Sequence, residues 1–168
     1  MKISIIYASL TGNTEAAAEY IMDGILEKSP FMQVKMMDVT EDEVDLDFLE
    51  QSEAVIFGSP VYFTGMSWEL KKWFDQSFRI KLNGKLGTVF VTANSLSGGT
   101  DTAIMDIIRH MLVKGMFVFS GEGSRSLGAF QIGAAVQAKE LDKYEDQLEA
   151  LGANVAEAVV AHLTSGNK

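Results

Sequence analysis

Short runs of consecutive apolar residues recur along this chain and are separated by longer segments of mixed polarity. A continuous apolar run bounded by turn residues is typical of a strand that is covered on both faces of a sheet. On this basis the sequence predicts five strands, at Ile3–Tyr7, Gln33–Val39, Ala54–Gly58, Gly87–Thr92 and Met116–Phe119.

The segments between the runs carry apolar residues at helical spacing. After the first strand the pattern falls on Ala17, Tyr20, Ile21, Gly24 and Ile25. A second helix is predicted from Ser67 to about Phe78, with Leu70, Trp73, Phe74 and Phe78 buried, and a third is marked by Ile104, Ile107, Ile108, Met111 and Leu112. The last is predicted from about Asp142 to Leu163, with Leu148, Leu151, Val155 and Val159 on one face.

This alternation predicts an α/β protein: an open, doubly wound, five-stranded parallel sheet in three layers, with right-handed crossovers. No repeat or linker interrupts the chain, so residues 1–168 are expected to form a single domain. Gly121–Gly128 is rich in Gly and Ser and is predicted to be a loop. Phe130–Ile132 is expected to continue or flank the edge strand, and the role of segment 121–133 stays open.

The amino-acid composition excludes several classes of protein. The chain is 47% hydrophobic and 22% charged, as in a folded globular protein. It has no cysteine, which excludes disulfides, iron–sulfur ligation by cysteine and a thiol nucleophile. No apolar run approaches the roughly 20 residues that span a bilayer. With no signal-peptide pattern at its start, the chain is expected to be cytoplasmic.

The charge is negative and unevenly placed. The net charge of −9 disfavours nucleic acid and anionic membranes as partners. Segment 38–53 has no basic residue and eight acidic ones, Asp38, Glu41, Asp42, Glu43, Asp45, Asp47, Glu50 and Glu53. Two interpretations are open: a solvated connection, or a docking face for a basic redox partner.

The most informative motif is the turn Ser9-Leu10-Thr11-Gly12-Asn13-Thr14, which links the first strand to the first helix. Free backbone N–H groups and the positive end of the helix dipole make such a turn an anion site. Hydroxyl and amide side chains add donors, and Gly12 lets the backbone approach a phosphate closely. The turn has no Lys or Arg, unlike the P-loop of an NTPase. The alternative is an ordinary capped helix start.

Two more loops leave carboxyl ends of predicted strands, where ligands bind in open parallel sheets. The loop at residues 59–66 offers aromatic surface from Tyr62 and Phe63 between Pro60 and Gly65. The loop at residues 92–100 offers amides and hydroxyls without charge. The three loops together suit a phosphorylated, planar, hydrogen-bonding heterocycle.

These residues resemble those of the flavodoxin-like flavoproteins over nearly the whole chain. The first turn, followed by Glu15-Ala16-Ala17-Ala18, is similar to flavodoxin itself. The loop Ser59-Pro60-Val61-Tyr62-Phe63-Thr64-Gly65-Met66-Ser67 resembles NAD(P)H-dependent FMN reductases, especially quinone reductases of the tryptophan-repressor-binding-protein type. Gly98-Gly99 and Leu127-Gly128-Ala129 point to that branch as well. The resemblance implies the strand order 2-1-3-4-5, with FMN bound at the point where the strand order reverses. Flavodoxin is itself a known example of a ligand bound at that point.

By this resemblance the FMN phosphate would be held by Ser9, Leu10, Thr11, Gly12, Asn13 and Thr14. The isoalloxazine would be lined by Pro60, Val61, Tyr62 and Phe63, and its pyrimidine edge by Thr92, Ala93, Asn94, Ser95, Gly98 and Gly99. No metal site and no catalytic side chain are predicted, since the chemistry would belong to the flavin. One position departs from the quinone-reductase pattern: Lys114 stands where that branch has a His before Gly115. His110 and His162 are interpreted as structural.

Two functions remain as hypotheses. The first is an FMN-dependent oxidoreductase that takes electrons from NADPH or NADH and passes them to a quinone or similar small-molecule acceptor. The second is a flavodoxin, an electron carrier between redox proteins with no substrate of its own. The sequence leaves open the nicotinamide used, the acceptor, and whether the protein forms a homo-oligomer.

Overall fold

The structure is a computed structural model that describes residues 1–41, 44–121 and 132–165. Its strands are β1 Lys2–Tyr7, β2 Gln33–Asp38, β3 Ala54–Tyr62, β4 Gly65–Met66, β5 Leu86–Ala93, β6 Phe117–Val118 and β7 Ala134–Gln137. Its helices are α1 Asn13–Lys28, α2 Leu46–Gln51, α3 Trp68–Gln76, α4 Thr100–Val113 and α5 Glu145–Ser165. A 3-10 segment, Ala138–Tyr144, precedes α5.

The main strands form a parallel sheet in the order β2-β1-β3-β5-β6. The predicted order 2-1-3-4-5 is therefore confirmed, because β4 is only the short antiparallel partner of β3 in a hairpin. One face of the sheet packs on α1 and α5, and the other packs on α2, α3 and α4. The central strands are buried on both faces, which explains their continuous apolar sequence.

The position at the edge of the sheet is shared by two short strands. β6 pairs with the start of β5, and β7 pairs with its second half, from Phe90↔Ala134 to Ala93↔Gln137. Phe130–Ile132 was expected to continue or flank the edge strand: residues 130–131 lie outside the described residues, and Ile132 flanks β7. Gly133 separates Ile132 from the strand, with φ +88, and a Cβ there would lie 2.3 Å from the carbonyl oxygen of Val89. Most of the predicted loop Gly121–Gly128 also lies outside the described residues.

Most predicted elements are present, with corrections at their ends. β2 stops at Asp38, one residue early, although the Val39 N–H still donates to the Tyr7 carbonyl at 2.8 Å. Helix α3 ends at Gln76, and the prediction that Phe78 is buried is wrong, since Phe78 is 74% exposed. Ser77 closes the helix: its hydroxyl donates to the Phe74 carbonyl at 2.9 Å.

The last helix was predicted to start at about Asp142, but residues up to Tyr144 form the 3-10 segment. Its apolar face is as predicted, with Leu148, Leu151, Val155 and Val159 buried. Within the three described stretches, no helix is long and apolar enough to cross a membrane.

Helices α1 and α5 pack with their backbones in direct contact, and two glycines make this possible. A Cβ on Gly24 would lie 2.0 Å from the Glu149 carbonyl oxygen, and one on Gly152 would lie 2.0 Å from the Ile21 carbonyl oxygen. Backbone atoms cannot move aside as a flexible side chain can. Any side chain here therefore separates the helices and opens the core beneath them.

We expect Gly152→Ala to destabilise the protein by about 1–3 kcal/mol, because the added methyl forces the helices apart. The sign of the change in unfolding free energy is informative, since a Gly→Ala substitution in an uncrowded helix stabilises by up to about 1 kcal/mol. The measurement is urea unfolding followed by circular dichroism. A variant as stable as the parent, or more stable, would contradict the close helix contact.

Candidate functional site

The first loop presents unsatisfied backbone donors at the start of α1. Gly12 is the N-cap residue, in the left-handed conformation with φ 81, and it has no side chain to cap the helix. Ser9 supplies one substitute, since its Oγ accepts from the Glu15 N–H at 3.2 Å. Among the described residues, the N–H groups of Asn13 and Thr14 have no acceptor. The alternative of an ordinary capped helix start is met in part by Ser9, but an anion could accept from the two N–H groups that remain.

The second loop is a strained hairpin. β3 was predicted to end at Gly58 but continues to Tyr62 and pairs with β4. The two turn residues, Phe63 and Thr64, have φ values of 46 and 71, in a region that Thr rarely adopts. Ser59 holds the base of this hairpin: its buried Oγ donates to the Pro60 carbonyl and accepts from the Ser67 N–H, both at 2.8 Å.

The third loop is fixed at both ends. The Gln137 side-chain amide donates to the Asn94 carbonyl at 3.1 Å, and the Thr100 hydroxyl donates to the Leu96 carbonyl at 2.7 Å. Gly99, with φ 96, lies against the hairpin so closely that a Cβ there would be 2.5 Å from the Thr64 Cα. The second and third loops are therefore in direct contact.

The three loops meet around a cavity of about 220 Å³. The lining residues are Thr11, Asn13, Pro60, Val61, Tyr62, Thr92, Ala93, Asn94 and Ala138. A buried hydrogen bond of 2.8 Å between the hydroxyls of Thr14 and Thr92 joins the first loop to the end of β5. The structure thus brings together three segments that lie far apart in the sequence.

The other predicted site residues surround the cavity without lining it. The Thr14 hydroxyl is hydrogen-bonded to the Thr92 hydroxyl, and the Ser9 hydroxyl accepts from the Glu15 N–H. The Phe63 ring is fully exposed at the tip of the hairpin. The remainder form the backbone of the first and third loops: Leu10, Gly12, Ser95, Gly98 and Gly99.

Two neighbours of the site were missed by the sequence reasoning. Ala138 lines the cavity from the start of the 3-10 segment, and a lone alanine gives no sequence signal of this. Asp38 lies at the carboxyl end of β2, and its Oδ1 accepts from the Ser9 N–H at 3.4 Å and from both the N–H and the hydroxyl of Thr40 at 2.8 Å. Its place at a strand end was a usable signal, because sites gather at that edge of the sheet.

The residues that line the cavity carry no charge, but acidic side chains lie around it. Tyr7 lies beneath the first loop, and its hydroxyl donates to Glu15 Oε1 at 3.4 Å. Burial raises the pKa of the Tyr7 phenol well above its ordinary 10.0, and the charges of Glu15 and Asp38 raise it further. No Lys or Arg is present in the three loops. Bound phosphate would therefore be held by dipoles alone, against an unfavourable field.

Lys114, the departure noted in the sequence, lies away from this cavity. It follows the C-terminus of α4, and its Nζ donates to the Ser77 carbonyl at the end of α3. Burial lowers the pKa of this amine. His110, on the same helix, bonds the Asp106 carbonyl at 2.7 Å and packs on Phe74, so its structural interpretation holds.

The fold agrees with a comparison against known families. A family model described as flavodoxin-like fold matches residues 1–155. The chain belongs to this family. The flavodoxin of Clostridium saccharobutylicum is 50% identical over 121 residues, which are 72% of this chain and 74% of that protein.

Members with a different activity are also similar to this chain. An NAD(P)H dehydrogenase (quinone) of Archaeoglobus fulgidus is 28% identical over 142 residues, covering 70% of this chain and 74% of that one. Among solved structures, a flavodoxin from the domain Archaea has a TM-score of 0.76 at 29% identity, covering 95% of this chain and 99% of its own. The chain is thus similar to proteins named flavodoxin and to proteins named NAD(P)H dehydrogenase (quinone).

The buried Tyr7 phenol predicts a loss of stability at high pH. Because the folded state raises this pKa, the unfolded state ionises first, and stability falls as pH rises above about 10. The slope is up to about 1.4 kcal/mol per pH unit for one proton. We expect Tyr7→Phe to lose less stability than the parent between about pH 10 and 12 in urea unfolding. Parallel pH profiles for the two proteins would contradict this role of Tyr7.

Proposed function

We propose that this protein binds FMN in the cavity between the three loops. The phosphate would accept hydrogen bonds from the free N–H groups of the first loop, Ser9–Thr14. The isoalloxazine would lie between the hairpin residues Pro60–Phe63 and the third-loop residues Thr92–Ser95, with Gly98 and Gly99 supporting that loop. The residues fit this group: the N–H groups of Asn13 and Thr14 have no acceptor among the described residues and could donate to a phosphate, and the cavity is lined by uncharged side chains.

We further propose that the protein works as an electron carrier between redox proteins. When bound, FMN supplies one-electron or two-electron transfer. The observation that carries this proposal is the 50% identity over 121 residues to a protein named flavodoxin. The acidic segment 38–53, which could attract a basic redox partner, supports it as well.

A second candidate is an NAD(P)H-dependent quinone oxidoreductase. The hairpin is compatible with it, because the fully exposed Phe63 ring beside the cavity could contact a planar acceptor. Relatives named NAD(P)H dehydrogenase (quinone) support it at 28% identity. The two candidates share the FMN site and differ in what approaches it.

We expect Thr11→Asp to weaken FMN binding by at least about tenfold. Thr11 is exposed and lines the cavity, so a carboxylate there would face the phosphate, and like charges about 4 Å apart near a protein surface repel by up to about 4 kcal/mol. Thr11→Asn is the matched control, since it has the same shape without the charge. The measurement is the dissociation constant from flavin fluorescence. Equal affinity for the Asp and Asn variants would mean that the phosphate lies elsewhere.

The carrier and the enzyme differ in turnover. We expect the FMN-loaded protein to oxidise NADPH or NADH only slowly with a quinone present, and to take up electrons in two resolved one-electron steps during titration with dithionite. The first measurement follows nicotinamide absorbance, and the second follows the flavin spectrum. Rapid quinone-dependent loss of nicotinamide absorbance would instead support the oxidoreductase.

A further inference from the structure

A second concave surface lies beside the first loop, on the α2 and α3 side of the sheet. We call it the tryptophan groove; its volume is about 470 Å³, within the range of small binding sites. One wall consists of Val39, Thr40, Val44 and Leu46, and the other of Trp68, Glu69, Lys72, Trp73 and Gln76. Trp68 and Trp73 are the two tryptophans of the chain. None of these residues lines the cavity proposed for FMN.

Glu69 has an unmet hydrogen-bonding capacity in this groove. Its Oε2 is shielded from solvent and has no donor among the described residues. A carboxylate oxygen that has lost water without gaining a donor is energetically costly. A cationic donor that entered the groove would compensate this carboxylate.

The aromatic wall is suited to the same kind of ligand. Trp68 is 66% exposed, and the Lys72 Nζ lies 5.4 Å from its ring centroid, so this ring face already holds a cation, which an entering guanidinium would replace. Trp73 is held in place by Phe57 and Phe74, at centroid distances of 5.9 and 5.3 Å. A planar cation would find one exposed ring and one fixed ring.

Charge selects a cation over an anion. Within the groove the charges of Glu69 and Lys72 are opposite, but the wall residues Val39, Thr40, Val44 and Leu46 belong to segment 38–53, whose sequence has eight acidic and no basic residues. A nucleotide phosphate would be repelled by this segment. Arginine meets every requirement, since its guanidinium is planar, always charged, stacks on aromatic rings and pairs with carboxylates through two N–H groups.

The position of the groove connects it to electron transfer. Thr40, on its wall, and Ser9, in the first loop, both donate to Asp38 Oδ1. A partner anchored in the groove would therefore lie next to the proposed FMN site.

We propose that the tryptophan groove receives an arginine side chain of a basic redox partner. This inference rests on the proposed carrier function and adds the chemistry of the partner to it. Glu69 pairs with the guanidinium, Trp68 stacks on it, and the acidic segment steers the partner toward the groove.

The test uses the FMN-loaded full chain labelled with ¹⁵N, with a hexa-arginine amide peptide as the probe. The two indole N–H signals, assigned with Trp68→Phe, report the groove directly. We expect both to shift saturably with the arginine peptide and not with hexa-citrulline. We expect Glu69→Gln to weaken binding by about tenfold, as for loss of a charged hydrogen bond. Glu50→Gln removes the same charge from an exposed site outside the groove and should weaken binding less than about twofold.

Three outcomes would overturn the proposal. The indole signals could stay fixed while backbone signals of the acidic segment move. Glu69→Gln and Glu50→Gln could weaken binding equally, which would show diffuse attraction only. ADP-ribose could shift the indoles where the peptide does not, which would assign the groove to a nucleotide. Failure of the FMN proposal is separately visible in the flavin spectrum, and the indoles would still report the groove.

Discussion

The buried hydrogen bond between Thr14 and Thr92 holds the candidate site together. Thr14 lies in the first turn of α1 and Thr92 near the end of β5, and both side chains are almost fully buried. The bond fixes the start of α1 relative to the third loop, and with it the direction of the free N–H groups of Asn13 and Thr14. A buried hydroxyl without a partner costs about 1–3 kcal/mol, so the two residues depend on each other. The remaining contacts, between Gly99 and Thr64 and between Gln137 and Asn94, then close the cavity.

Negative charge near the first loop would act in opposite directions on a bound phosphate and on a basic partner in the tryptophan groove. Glu15 and Asp38 would oppose a bound phosphate, which the first loop could hold only by dipoles, since it has no cation. The same negative charge would attract a basic partner to the groove beside it. Asp38 contacts both places, since it accepts from Ser9 in the first loop and from Thr40 on the groove wall. Under the two proposals, its charge would therefore disfavour the phosphate and favour the partner.

The sequence predicted features that depend on residues close together in the chain, and it missed features that depend on contacts between distant segments. Continuous apolar runs and helical spacing identified the strands and most of the helices, and the hydroxyl turn is local to residues 9–14. The strand order came from the resemblance to the flavodoxin-like flavoproteins, not from these patterns. The extension of β3 was missed because Ser59-Pro60 has the composition of a turn, whereas Pro60 pairs in register with Thr92. Phe78 was misplaced because a helical pattern does not show where Ser77 ends the helix. Ala138 carries no chemical signal and reaches the cavity only through the pairing of β7 with β5.

The strained hairpin does not by itself separate the carrier from the enzyme. Positive φ values at Phe63 and Thr64 cost about 1–3 kcal/mol each, and they persist because Ser59 fixes the base of the hairpin while Gly99 packs against its tip. The result is an exposed Phe63 ring beside the cavity, which suits contact with a planar acceptor and contact with a protein surface equally well. Proton supply does not separate the two candidates either, because exposed residues line the cavity and water can reach it, and because the Tyr62 phenol is itself a possible donor. The ground for proposing the carrier is therefore sequence similarity: 50% identity to a protein named flavodoxin, against 28% to one named NAD(P)H dehydrogenase (quinone).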